Sequence, residues 1–235
     1  MATSAPAPRR APELEALFPD VQVAVFLTDV LLHDVELSDD ERGFIERAVP
    51  GRRAEFATGR ACARAAIEGL GRSAPSIPVG ERRQPEWPEG VTGAITHTRR
   101  EGRQFVAAVA ALDPAGDIGV GIDAEVIQPL KDGVRDMLLV TAEIAMVDAT
   151  EPSEHETGNI RVFSAKEAFY KAQFALTGSW VGFSDMQLTS LSGTGDLIET
   201  GAMDALEGIE LPAAFRQTVT DGLVISGVVV RRRPS

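Results

Sequence analysis

The spacing of apolar positions along the chain changes period repeatedly, and each change marks an element. Ser38–Glu41 reads as a capping box, in which a hydroxyl and a carboxylate satisfy each other's backbone N–H groups, and predicts a helix to about Val49. Pro50-Gly51 breaks it. The next segment, RRAEFATGRACARAAIEGL, puts Phe56, Ala63, Ile67 and Leu70 on one helical stripe and ends at Gly71. Residues 72–93 are rich in Pro, Gly and Arg and predict a loop carrying one aromatic, Trp87. AITH follows, then Gln104–Leu112, an apolar run of strand length. Asp113-Pro-Ala-Gly116 is a turn signal. Asp117–Ile122 alternates Ile118, Val120 and Ile122 with polar or glycine positions, which predicts a strand antiparallel to the one before it. Residues 132–149 read as helix and 150–159 as a polar loop. Ser164–Glu167 is a second capping box, predicting a helix to about Leu176. Beyond Gly178 the pattern is short strands and turns, ending with Gly222–Val230 and a basic tail. The fold class is α+β, with no repeat at a fixed short period.

Composition narrows the function. The 235 residues fit one large domain or two small ones, and an apolar fraction of 44% supports a real core. No stretch approaches the ~18 apolar residues of a membrane span. Residues 1–12 are biased to Ala and Pro and lack an apolar run after their arginines, so they read as a disordered lead-in rather than a secretory signal. A single cysteine, Cys62, excludes an intrachain disulfide and points to a reducing, cytoplasmic setting. The net charge of −12 argues against a nucleic-acid partner. That charge is uneven: residues 1–112 carry 14 Lys+Arg against 16 Asp+Glu, and residues 113–235 carry 9 against 19. The first half therefore suits an anionic ligand better and the second a cation; the plainer reading of both is solubility.

Three segments carry candidate chemistry. In GVGIDAEVI, Asp123 and Glu125 fall at i and i+2 of a strand and share a face. Adjacent carboxylates repel unless a cation lies between them, and hard oxygen donors suit Mg²⁺; such a pair is also common on solvated strands. In FSAKEAFYKA, Glu167 and Lys171 are i,i+4 on a helix, the spacing of an ordinary surface ion pair as well as of a site. Only three lysines occur, Lys131, Lys166 and Lys171, and two of them lie in this segment, Lys166 off to the side, where it pairs elsewhere or faces solvent. In GAITHTRR, His97 sits near a loop-to-strand boundary, where a structural role competes with a catalytic one. Upstream, Arg53 and Arg60 share a helix face with Arg64 one turn later, which suits a phosphate or a solvated surface alike.

Order and combination change the weighing. GIDAE, followed some forty residues later by FSAKEAFYKA, resembles the two signature motifs of the 4′-phosphopantetheinyl transferases, (V/I)GxDxE and (F/W)xxKExxxK. RRAEFATGRACAR and PEWPEGVTGAITHT extend the resemblance to the Sfp-like, enterobactin-synthase-component-D-like branch, from about Gly51 to Gly182.

The resemblance implies a fold of two similar α+β halves in one chain related by a pseudo-two-fold, with the active site between them and a monomer in solution. Boundaries fall at residues 13–114 and 115–235. It implies transfer of phosphopantetheine from coenzyme A to a serine of an apo acyl or peptidyl carrier protein, releasing adenosine 3′,5′-bisphosphate. Mg²⁺, or Mn²⁺ in its place, is held by Asp123, Glu125 and Glu167; Lys171 contacts the phosphates; Glu167 is favoured as base. His97 binds coenzyme A phosphate. Arg60 and Arg52, with Arg53 adjacent, clamp the 3′-phosphate; the helix-face argument prefers Arg53, and both stay open. Two positions depart from the pattern. Ala94 stands where relatives carry serine, and Val79 where they carry a phosphate-contacting lysine, with Arg82 or Arg83 nearby as substitutes. The alternatives are a non-catalytic coenzyme A-binding protein and a Mg²⁺-dependent phosphohydrolase acting on coenzyme A. The branch leans toward secondary metabolism, siderophore or polyketide.

Overall fold

The computed structural model describes residues 6–74, 76–100, 102–201 and 203–234. Its elements in chain order are β1 (Arg9–Arg10), α1 (Pro12–Glu15), β2 (Val23–Thr28), α2 (Asp39–Ile45), α3 (Pro50–Gly69), β3 (Val91–Arg100) and β4 (Arg103–Leu112). There follow β5 (Ile118–Val126), α4 (Val134–Leu138), α5 (Thr141–Asp148), α6 (His155–Thr177), β6 (Met186–Leu188), β7 (Thr194–Glu199), β8 (Ala213–Thr220) and β9 (Leu223–Arg231). The chain divides into two compact units: residues up to Ala16 with Val21–Pro114, and Leu17–Asp20 with the chain from Ala115 onward.

In the first unit, β1-β2-β4-β3 form an antiparallel sheet. Val106 through Ala111 of β4 are all buried, which explains why this central strand reads as a continuous apolar run. Helix α3 opens with Pro50 at its first turn, where a missing N–H costs nothing, and lays Cys62, Ala63, Ala66 and Ile67 on the sheet. In the second unit the sheet order is β5-β9-β8-β7-β6, again antiparallel. Helix α6 ends at Gly178, whose left-handed φ of 61° closes it, and packs Ala165, Ala168, Phe169 and Ala172 into the core. Phe169 and Phe215 are each 1% exposed, and burial of a side chain that size stabilises by about 1.5–3 kcal/mol. The path β2, α2, α3, β3, β4 of the first unit recurs as β5, α5, α6, β8, β9 of the second, with matching order inside each sheet. The fold is thus α+β with one topology used twice.

The structure differs from the sequence expectation in several places. Strand β5 pairs with β9, not with the preceding β4, so Asp113–Gly116 joins two sheets instead of closing a hairpin. Apolar alternation marks a strand but not its neighbour. The helix expected over 132–149 is two, α4 and α5, parted by extended Leu139. Within the expected loop 150–159, α6 already begins at His155. Ser164 is therefore mid-helix and caps nothing; its hydroxyl is used elsewhere. Part of the expected lead-in is ordered, because Arg9–Arg10 pair with β2 and bond Glu13 and Glu15; residues 1–5 lie outside the described residues.

Candidate active site

Along β5 the residues facing α6 are Gly119, Gly121, Asp123 and Glu125, every second position of the strand. The two glycines set the spacing. A Cβ on Gly119 would lie 2.0 Å from the Ala172 carbonyl oxygen, and one on Gly121 1.9 Å from that of Ala168. The helix backbone thus rests on the strand backbone, and the first side chains beyond this contact are the two carboxylates. Asp123 is 3% exposed and Glu125 half-buried. From α6, the Lys171 ammonium donates to Asp123 Oδ1 at 2.7 Å and to the Ile122 carbonyl at 3.2 Å. Lys171 is thereby engaged with the strand, which a simple surface i,i+4 pair with Glu167 does not predict.

Three carboxylates and one ammonium cluster here in the second unit. Burial, with Asp123 and Glu167 nearby, pushes the Glu125 carboxyl up to about 7, against the opposing pull of Lys171. Burial also raises Glu167; Lys171 opposes and the Asp123 charge adds to the rise. Among the described residues no group of three or more His, Cys, Asp or Glu side chains is arranged to hold a metal ion; Asp123 is turned onto Lys171. In kind the donors fit a hard divalent cation: oxygen ligands from a strand and a helix, in a field that favours added positive charge.

The first unit gathers cationic groups. Arg52 Nη1 lies 3.0 Å from His97 Nε2. A guanidinium only donates, so His97 Nε2 accepts, and the proton of a neutral ring sits on Nδ1. Both side chains are exposed. Arg53 turns away, donating to the Glu46 and Ala48 carbonyls at the end of α2. The structure therefore brings Arg52, not Arg53, to His97. Arg60 departs from the expected open arginine face. It is 5% exposed, stacks on Phe56 at 4.3 Å and donates to the Ile77 and Pro78 carbonyls. Burial lowers its pKa to about 10; Glu41 opposes this, and Arg64 and Arg52 add to it. Arg64 also leaves that face, pairing with buried Glu41 at 2.9 Å. Arg82 and Arg83 are exposed on the loop after Val79, which bridges to Pro85; Arg83 has a φ of 68°. His97 lies well inside β3 rather than at its edge. Ala94 is 3% exposed, so a hydroxyl there would be buried in the sheet.

Sequence reasoning left the partner of Lys166 unnamed and passed over the role of two glycines. Of pairing elsewhere and facing solvent, Lys166 does the first: it is 3% exposed and donates to Glu143 Oε2 at 2.6 Å and to the Leu138 and Phe183 carbonyls. Gly119 and Gly121 signal their role only through alternation in GVGID, the same face that carries the carboxylates.

The chain is similar to known proteins along most of its length. The family profile described as 4′-phosphopantetheinyl transferase N-terminal domain matches residues 40–111, and that of the 4′-phosphopantetheinyl transferase superfamily matches residues 119–219. The 4′-phosphopantetheinyl transferase Svp of Streptomyces mobaraensis is 35% identical over 83% of this chain and 78% of its own. PptT of Mycobacterium tuberculosis, also a 4′-phosphopantetheinyl transferase, is 36% identical over 81% of this chain and 85% of its own. Enterobactin synthase component D of Salmonella austin is 32% identical over 61% of this chain and 56% of its own. The solved holo-[acyl-carrier-protein] synthase of Thermotoga maritima aligns over 50% of this chain and 65% of its own, at 21% identity and a TM-score of 0.41. With both halves matched and relatives of this identity over most of its length, the chain belongs to the 4′-phosphopantetheinyl transferase superfamily.

Proposed function

We propose that this enzyme transfers the 4′-phosphopantetheine arm of coenzyme A to a serine hydroxyl of an apo carrier protein in a Mg²⁺-dependent reaction. The observation that carries this reading is the convergence of Asp123, Glu125, Glu167 and Lys171 between β5 and α6. Asp123, Glu125 and Glu167 would hold the metal, and Mn²⁺ suits the same oxygen donors. When bound, the metal neutralises charge on the pyrophosphate of coenzyme A.

The serine Oγ attacks the β-phosphorus; the new O–P bond forms as the bond to the α-phosphate oxygen breaks, and adenosine 3′,5′-bisphosphate leaves with the electron pair. Transfer of this kind depends on positioning and on charge stabilisation. Glu167 takes the serine proton, directly or through water, and burial raises its pKa, the direction that strengthens a carboxylate base. Lys171, now on Asp123, supplies positive charge to the leaving phosphate. In the first unit, Arg52 and His97 offer donors to a coenzyme A phosphate, with Arg82 and Arg83 exposed on their loop. Arg60 supports that region through the Ile77–Pro78 backbone, and Arg53 through the end of α2.

The proposal extends to a monomer acting in the cytoplasm on carriers of siderophore or polyketide assembly. Buried Cys62, its thiol pushed up to about 12 by burial, is compatible with a reducing compartment. Among the described residues no helix is long and apolar enough to cross a membrane.

The test is chromatography of the nucleotide product after incubation with coenzyme A and Mg²⁺, with and without an apo carrier. Adenosine bisphosphate formed only with the carrier and stopped by EDTA is expected. Product without carrier would mean a phosphohydrolase, and no product while coenzyme A stays bound would mean a non-catalytic binder. Elution as a stable trimer on gel filtration would contradict the monomer.

A further inference from the structure

A line of polar side chains lies behind the carboxylates and has no part in the chemistry above. Gln217 of β8, Ser226 of β9 and Asp123 of β5 are successive cross-strand partners. Directly opposed residues point to one face of a sheet, and here α6 covers that face. Ser164 and Ser226 are fully buried.

Their hydrogen bonds run in one direction. Arg161 Nη1 donates to Gln217 Oε1 at 3.1 Å. Gln217 Nε2 donates to the Arg161 carbonyl at 2.7 Å and to Ser226 Oγ at 2.9 Å. Ser226 Oγ, accepting from Gln217, donates to Ser164 Oγ at 2.8 Å, and Ser164 Oγ donates to the Asp123 carbonyl at 3.4 Å. Lys171 holds the preceding carbonyl, that of Ile122. Two consecutive carbonyls of β5 are thus tied to α6, one on each side of the turn that carries Glu167. A buried hydroxyl left without a partner loses its solvation with nothing in return, so the chain of donors resists rearrangement.

We propose that the Ser164–Ser226 hydroxyl pair is a positioning element for the metal site: it fixes the distance and rotation between the strand that presents Asp123 and the helix that presents Glu167. The pair touches neither substrate nor metal and acts through the Asp123 backbone. This inference rests on the proposed magnesium reading. The matching place in the first unit holds Cys62, whose thiol reaches the Val106 carbonyl at 3.7 Å, and no carboxylate follows it in the chain as Glu167 follows Ser164.

The experiment is Mn²⁺ binding by electron paramagnetic resonance, with saturating coenzyme A, for wild type, Ser164→Ala, Ser226→Ala and Ser226→Thr. Outer-shell partners of metal ligands are worth about 10–100-fold in metal affinity. The two alanine variants are expected to weaken Mn²⁺ by about 10-fold, with coenzyme A affinity measured without metal unchanged and with Ser226→Thr, which keeps the hydroxyl, close to wild type. Folded alanine variants with wild-type Mn²⁺ affinity overturn the inference, whatever their melting temperature. If one alanine variant does not fold, the other and Gln217→Leu, which removes the donor feeding the pair, decide by the same readout. Wild type that binds no Mn²⁺ overturns the magnesium reading itself and this inference with it.

Discussion

The two units carry the same buried clamp and use it differently. In the first, Glu41 near the start of α2 accepts from the Ser38 and Ile77 N–H groups and pairs with Arg64 of α3. In the second, Glu143 near the start of α5 accepts from the Val140 and Leu188 N–H groups and pairs with Lys166 of α6. The partners are 23 residues apart in both cases, and both carboxylates are fully buried. Such a clamp fixes a short helix, a long helix and a distant strand or loop by one anion. What surrounds it differs. Arg64 is followed by Ala65 and, four residues on, Gly69; Lys166 is followed by Glu167 and, four on, Lys171. The scaffold is duplicated, and the proposed acid-base chemistry falls on one copy, in the turn beside the clamp.

The largest expected effect separates chemistry from scaffold. Glu167→Gln should keep coenzyme A binding and lose transfer by about 10²–10⁴-fold, the usual worth of a general base. Single-turnover assays with calorimetry of coenzyme A binding check this; normal turnover would remove the role from Glu167.

Breaking the clamp should cost stability unequally. Lys166→Met strands Glu143 without its cation, and removing one partner of a buried pair costs about 3–5 kcal/mol. Arg64→Met should cost less: Arg64 is 20% exposed at its side chain, and Glu41 keeps a second cation, Arg60 at 3.9 Å. Urea unfolding of both variants tests the order.

Gly121→Ala should push α6 off β5, at about 1–3 kcal/mol for overpacking, and weaken the Lys171–Asp123 contact. Gly69→Ala in the first unit meets a ring edge, Phe26 at 2.8 Å, instead of a backbone carbonyl, and should be milder. Thermal unfolding of the pair compares them.

The smallest effect concerns acid. Burial raises the Glu41 pKa, but the Ile77 and Ser38 N–H groups and Arg64 outweigh it and leave it below the ordinary value. A depressed carboxylate contributes stability that is fully present above its unfolded pKa of about 4.3 and is lost as pH falls through the folded value. Wild type should therefore lose more stability than Glu41→Gln as pH is lowered below about 4.3. Parallel curves would show that Glu41 is not the group responsible.

Much of this was legible beforehand because local signals sufficed. The Ser38–Glu41 capping box is present as read, and the strand phase that puts Asp123 and Glu125 on one face needs only a period of two. The misses share a cause. Ser164–Glu167 has the letters of a capping box, yet the helix had begun earlier, so the serine was free to bond across the core. The partner of Lys166 stayed unnamed because Glu143 lies far along the chain. Arg60 looked to lie on an open face because helical spacing gives a face but not what covers it. Each depends on a tertiary partner that local pattern does not encode.

The central claim, transfer to a carrier by the cluster at β5 and α6, is tested most directly by intact-mass spectrometry of an apo carrier protein. The carrier is incubated with coenzyme A, Mg²⁺ and either wild type or Glu167→Gln, and the modified residue is then mapped. The account predicts a gain of one phosphopantetheine on a serine with wild type, abolished by EDTA and lost with Glu167→Gln. An unmodified carrier with wild type, across several unrelated carriers and with coenzyme A still bound, or a gain that persists in EDTA, would contradict it.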